Sequence, residues 1–144
     1  MTTKDYLNQV GRLNRMINNK LVEIAQLKEL ACSISAIQTG ERVQTTPNYD
    51  KIGTAYAKID EKERETDLLI DKYIDTKNNI IAQIKNIPCD RHRKVIYWRY
   101  IEQYSIHRIS QFLGITDRGC KKLHKRAIEE FEKAMDCLLY TSDA

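Results

Sequence analysis

Between Lys4 and Ser35 the apolar side chains return at Val10, Leu13, Ile17, Ile24, Leu27, Ala31 and Ile34, at steps of three and four. Lys20 is the one polar intruder on that line, with Leu21 beside it. This spacing keeps a stripe on one helical face, the seam of a helix packing lengthwise on another. From Ser35 to Asp50 the pattern breaks, with Gly40 and Pro47 among polar residues, and a loop is predicted. The stripe restarts at Ile52 and continues through Tyr56, Ile59, Glu63, Thr66, Ile70, Tyr73, Lys77, Ile80, Ile84 and Ile87. Pro88 then stops it. The polar middle, Glu63 and Thr66, predicts a moderate seam. Two helices of about thirty residues, roughly 45 Å each, joined by one loop predict an antiparallel hairpin. In that hairpin Ile17 and Ile24 are expected to meet the stretch from Ile70 to Ile84.

Past Pro88 the pattern changes to shorter elements. Arg93 to Ile101 reads as a supporting helix, with Val95, Trp98 and Ile101 available to pack under the next two helices and Tyr104 near its end. Its aromatic residues read as core and not as a base-stacking platform. From Ser105 to Leu123 the residues meet the demands of two short helices crossing at a sharp turn. Ser110 is small where the helices approach. Gly114, four positions on, tolerates a positive φ. Thr116 is a natural N-cap for the second helix. Cys120 and Leu123 return inward from that helix, and Ile109, Leu113 and Ile115 complete a small core. A plain helical hairpin explains the glycine and the apolar positions, but it leaves the cations between and around them unexplained.

Those cations are concentrated. Residues 1–87 hold 13 Lys/Arg against 12 Asp/Glu, whereas residues 88–126 hold 10 against 3, a local excess of seven, with all three histidines added. A basic block inside a patterned helical segment is the electrostatic footprint of a nucleic-acid partner. On the second helix Arg118, Lys121, Lys122 and Lys125 fall on the side away from Cys120, Leu123 and Ala127, as major-groove docking requires. Arg118, in the first turn after Thr116, is expected to reach base edges, with Lys121 and Lys122 at groove-facing spacing. Lys125 and Arg126, a turn further on, are expected to meet phosphates. Gly119 costs helix stability and is read either as permitting close approach to DNA or as simply tolerated. His107 and Arg108, on the first helix, add positive charge to the same surface.

Composition removes other classes. A chain of 144 residues with 5 Gly, 2 Pro and 31% charged residues suits long helices and argues against a sandwich, barrel or Rossmann sheet. No stretch approaches the roughly 18 apolar residues of a membrane span, and the first residues lack a signal peptide's apolar core. A soluble, cytoplasmic, nucleoid-associated protein is expected. Cys32, Cys89, Cys120 and Cys137 form no CxxC, so no disulfide framework is expected. The pairs Cys89/His92 and Cys120/His124 depart from zinc-ligand spacings and read as small, partly buried thiols beside histidines. No metal, cofactor or catalytic constellation of nucleophile, base and oxyanion donors is expected, hence no enzyme.

Residues Val95 to Ala127 resemble the C-terminal DNA-binding region 4 of sigma-70-family factors. The resemblance is carried by Trp98-Arg99-Tyr100, Ser105, Ile109, Ser110, Leu113-Gly114-Ile115-Thr116, Cys120 and Ala127. With the opening Thr3-Lys4-Asp5-Tyr6-Leu7, the hairpin and Leu123-His124-Lys125-Arg126-Ala127-Ile128, the chain through Asp136 is similar to small phage late-transcription regulators of the ArpU/RinA kind. That similarity implies binding to promoter DNA and regulation of phage late genes with host RNA polymerase. The sequence departs where such motifs open the first helix with acids, because His107 and Arg108 stand there and a capping-box carboxylate is lost. Nothing resembles a promoter-melting region.

The expected architecture is all-α: a long, coiled-coil-like antiparallel hairpin over residues 1–87, then a helix-turn-helix DNA-binding domain over 88–136. The hairpin is read as an arm for a homodimer or for polymerase. Two alternatives stay open, a phage terminase small subunit and a helical adaptor that does not bind DNA. Residues 137–144 do not continue the helix pattern. One codon choice for them, beginning TGT CTC TTA TAC ACA TCT, matches a transposase mosaic-end adapter used in sequencing libraries, so the native sequence is expected to stop near Asp136.

Overall fold

The computed structural model describes the backbone of residues 1–40 and 46–142 and the side chains of residues 1–34 and 51–136. Thr2 starts α1 (Thr3–Gly40) with a reciprocal cap. Its hydroxyl accepts from the Asp5 N–H at 3.2 Å while the Asp5 carboxylate accepts from the Thr2 N–H at 3.2 Å. Helix α2 spans Thr46–Ile84, with Pro47 in its first turn, where a missing N–H leaves no helical bond unmade. The loop expected from Ser35 to Asp50 is therefore helical in backbone through Gly40 and again from Thr46, and only 41–45 lie outside the described residues. Polar side chains weaken the seam without breaking the helix, because no proline or glycine interrupts residues 35–39.

Helix α3 (Asp90–Ile96) continues into a π-helical turn, Tyr97–Ile101, followed by α4 (Ile106–Leu113) and α5 (Asp117–Ser142). The last carries a second correction, since its backbone remains helical beyond Asp136 to Ser142, where no proline or glycine stops it. Among the described residues there is no strand.

The chain divides into two compact units, Leu13–Lys72 and Met1–Arg12 with Tyr73–Ala144. The contacts thus divide the chain elsewhere than at 87/88. In the first unit α1 and α2 run antiparallel, burying Leu13, Ile17, Ile24 and Ala31 on one helix and Ala55, Ile59 and Thr66 on the other. Ala31, Ala55 and Ile59 form one cluster with Leu27 against it. The second stripe runs through Ala55, with Tyr56 left 52% exposed, because two alanines face each other there. Lys20 meets Glu65 at 2.8 Å and Lys62 meets Glu23 at 3.3 Å. This register sets Ile24 level with residues between Ile59 and Thr66, short of the expected stretch from Ile70 onward. The connection is centred near residue 43, as is the expected loop from Ser35 to Asp50, and that centre alone sets Ile24 near residue 61.

The other unit holds the main core: Leu7, Val10, Ile80, Ile84, Ile87, Val95, Ile96, Tyr100, Ile101, Ile109, Cys120, Ala127, Ile128 and Phe131. The inward face of α5 (Cys120, Ala127 and Phe131, each 0% exposed) packs on it. The π turn is defined by the Glu102 N–H on the Tyr97 carbonyl at 3.1 Å. This wider turn places both Tyr100 and Ile101 inside. No helix among the described residues is long and apolar enough to cross a membrane.

Candidate nucleic-acid interface

The turn between α4 and α5 is built as its residues require. Ser105 caps α4 by accepting from the Arg108 N–H at 3.2 Å, so the hydroxyl half of the capping box survives without the acid. Gly114 ends α4 in the left-handed region at φ 66°, ψ 33°. Thr116 caps α5 through its Oγ1, which accepts from the Gly119 N–H at 3.1 Å. Gly119 has a local reason here. A Cβ at that position would stand 3.2 Å from the same Oγ1 and crowd the cap.

Ser110 is 2% exposed where the two helices meet. Its hydroxyl lies 2.6 Å from the His107 carbonyl oxygen and 2.6 Å from the Asp117 carboxylate. His107 Nδ1 reaches that carboxylate at 3.0 Å, and Gln111 meets the ring's other nitrogen at 3.2 Å. The Ser110 bond, then His107, hold the Asp117 carboxyl below the usual carboxylate range. Asp117 is thus a clamp between the helices. It also occupies the first turn of α5, where a negative charge favours the helix dipole.

The cations of residues 88–126 separate into two sets. Arg93 donates to the Ile87 carbonyl at 2.6 Å and, with Lys94, pairs with Asp90. Arg99 donates to the Tyr104 carbonyl at 3.0 Å. Arg108 lies over the Tyr104 ring at 4.4 Å, beside Phe112, which makes edge contacts with Trp98 and Tyr104. Phe112 is 51% exposed, so the aromatic group is only partly core. These cations are engaged in holding the fold. Arg91, Arg118, Lys121, Lys122, Lys125 and Arg126 have no hydrogen bond or ion pair among the described residues.

Five of those six lie on α5, on the side away from Cys120, Ala127 and Phe131, and all five are exposed. The expected residues Arg118, Lys121, Lys122, Lys125 and Arg126 thus share one helix face with the Thr116 cap and Gly119 at its start. His107 and Arg108 do not join them. Each is held by its own neighbours, His107 by Asp117 and Arg108 by the aromatic group. The sixth free cation, Arg91 of α3, was missed by sequence reasoning. It lines a cleft of about 260 Å³ with Ile115, Gly119, Lys122, Leu123 and Arg126. The one signal for it was membership of the basic block.

His124, on the flank of α5, turns inward and shares a 2.8 Å hydrogen bond with the Tyr100 hydroxyl. Burial, then the charges of Lys4 and Arg99, push its pKa down to about 4, so the ring is neutral at pH 7. Burial also raises the thiol of Cys120. His124 and Cys120 thus belong to the packing of α5. Among the described residues no group of three or more His, Cys, Asp or Glu side chains is placed to hold a metal.

A capped second helix, crossing α4 at a left-handed glycine and presenting a stripe of free cations, is the geometry of a helix-turn-helix. Residues 90–130 match the family model of Sigma-70, region 4. The segment is sigma-70 region 4-like. Sigma-70, region 4 is a DNA-binding type of domain. The match covers under a third of the chain, and no curated protein or solved structure matched. Within the region 4-like segment, the π turn and α3 support the two-helix motif from below, with Val95 and Ile96 at 0% exposure.

Proposed function

We propose that this chain is a sequence-specific regulator of phage or prophage transcription that reads double-stranded DNA through α5 and acts with host RNA polymerase. The observation that carries the reading is the row of unpaired cations on the outer face of the capped second helix of a sigma-70 region 4-like motif. Arg118, in the first turn, supplies paired donors suited to guanine. Lys121 and Lys122 line the groove. Lys125, Arg126 and, across the cleft, Arg91 neutralise phosphates. The sigma-like character of residues 90–130 supports partnership with polymerase, and the resemblance to phage late-gene regulators supports the biological setting. The hairpin serves as the arm that brings in a second copy or the polymerase.

The test is a titration of purified protein against duplexes selected from DNA flanking its own gene, and against scrambled duplexes, at several salt concentrations. Arg118→Ala is expected to lose about 1–3 kcal/mol on the selected site and little on scrambled DNA. Lys125→Ala is expected to weaken both alike and lower the salt slope by about one ion. Absence of any DNA binding by the wild-type chain would overturn the reading.

A further inference from the structure

One face of the Leu13–Lys72 unit carries a groove that no contact among the described residues fills. Two adjoining cavities of about 350 and 480 Å³ share Leu27, Leu30 and Lys58 as lining. Leu30 is 53% exposed at its centre, with Leu27 and Ile34 on either side of it along α1. On the α2 side stand Lys51, Lys58 and Glu61. None of these three has an ion pair among the described residues, although their neighbours Lys20, Glu23, Lys62 and Glu65 are all paired.

The register of the hairpin gives this groove a symmetry. The pairs Lys20–Glu65 and Glu23–Lys62, with Ala31 and Ala55 in one cluster, place Leu30 level with residues 55 and 56. Leu27 and Ile34 lie three and four residues either side of Leu30. Lys51 and Glu61 lie five residues either side of position 56, about 15 Å apart along the helix. A two-fold axis at Leu30 therefore sets Leu30 on itself, Leu27 on Ile34 of the second copy, and Lys51 on Glu61 of the second copy. Apolar meets apolar, and Lys51 of each copy meets Glu61 of the other, while Lys58 falls level with residue 54 of the second copy.

We infer that this groove is the homodimer interface, occupied by the same face of a second copy lying antiparallel across Leu30. An isologous contact requires a self-complementary patch, and Lys51 and Glu61, which exchange places under the two-fold, supply the charge half of that complementarity. The patch is short, so the dimer forms a concentration-dependent equilibrium with monomer. The inference deepens the regulator reading, since a two-fold dimer reads two half-sites. It is measured without DNA, so it stands or falls separately from DNA recognition.

The experiment is sedimentation equilibrium of the full chain over a concentration series, with circular dichroism to confirm that each variant keeps its helices. The wild-type chain is expected to dimerise, and Leu30→Asp to weaken the dimer by more than about tenfold at unchanged helicity. Lys51→Glu and Glu61→Lys are each expected to weaken it, and the double exchange to restore it. A wild-type chain that stays monomeric throughout, a dimer indifferent to Leu30→Asp, or a double exchange that fails to recover would overturn the assignment. If the dimer is lost with Leu30→Asp while the monomer keeps its DNA affinity for a single half-site, both readings hold. If the dimer behaves as stated but wild-type protein ignores DNA, the regulator reading alone fails.

Discussion

The two compact units bury apolar surface under different conditions. Around Phe131, helical segments close on every side, and Leu7, Ile80, Ile87, Val95, Ile96 and Ile109 are all at 0% exposure with it. In Leu13–Lys72 only two helices share a seam. Ile17 keeps 8% and Ile24 6% exposure, a threonine sits among the apolar positions, and ion pairs flank the line. A side chain enclosed by several helices leaves a cavity when it is cut back. One held between two helices has solvent on its flanks, and its neighbours are freer to close the gap. Packing thus governs the unit around Phe131, while the hairpin unit relies on a thinner mixture of packing and charge.

Truncation measures that contrast at its largest. Phe131→Ala is expected to cost about 3–5 kcal/mol, with loss of the Tyr6 ring contact at 6.3 Å included. Ile24→Ala, in the seam, is expected to fall near the lower end of the range for such truncations, about 2 kcal/mol. Urea unfolding followed by circular dichroism checks both. Equal costs would mean that the seam is as rigidly enclosed as the core.

Acid should discriminate the units next. His124 is neutral in the folded state, with a pKa of about 4 against about 6.5 in an unfolded chain. The unfolded chain therefore binds the additional proton first. The stability contributed is complete above pH 6.5, falls as pH drops from there, and is gone below about 4. Solvent reaches part of the ring, so the loss is on the order of 2 kcal/mol and not the full value of the shift. Unfolding of wild type and His124→Asn at pH 7.5 and 4.5 isolates the effect. A variant whose pH slope equals that of wild type would remove His124 as its source.

The parts of the fold that were legible in the sequence are those set by local rules. Steps of three and four placed both seams, because helix period is a property of one segment. Gly114 and Thr116 were legible because a left-handed turn and an N-cap each demand a residue type at one position. Which of two neighbouring positions turns inward was not legible. Whether Ala55 or Tyr56 faces α1 depends on what α1 places opposite, and Ala31 decides that. The loop was overextended because polar residues without proline or glycine still form helix. For the candidate site, the α5 stripe followed from helical spacing alone, but the separation of engaged from free cations did not. Arg93 and Arg99 serve backbone carbonyls, and Arg91 meets Lys122 and Arg126 only after the chain folds. Asp117, clamped by Ser110 and His107, likewise needed the crossing of two helices to be seen.

A smaller effect tests the turn. Nothing lies within 4 Å of a Cβ built on Gly114, so Gly114→Ala adds no clash, only the strain of holding an L-residue at φ 66°. The expected cost is about 1–2 kcal/mol, with Gly114→Asn costing less because asparagine enters this region more readily. Thermal unfolding of both variants checks the order. Reversal of the order would mean that the turn relaxes out of the left-handed region.

The smallest effect belongs to the hairpin's charges. Glu65 accepts from Lys20 at 2.8 Å and lies 3.9 Å from Lys62, which in turn reaches Glu23. The Lys20 hydrogen bond and charge hold the Glu65 carboxyl below its ordinary range, so the network is intact at neutral pH. The members keep between 26% and 49% of their side-chain surface in water, where attraction is weak and two long side chains must be ordered to gain it. Glu65→Gln keeps the shape and removes the charge. It is expected to destabilise the chain slightly at low salt and not measurably at about 1 M salt, where the screening length falls to roughly 3 Å. Unfolding of wild type and variant in the same buffer at both salt concentrations gives the difference directly. A loss that persists at high salt would mean that Glu65 acts through packing or hydrogen bonding. The hairpin would then depend on fixed polar geometry, closer to the enclosed core than its exposed surroundings suggest.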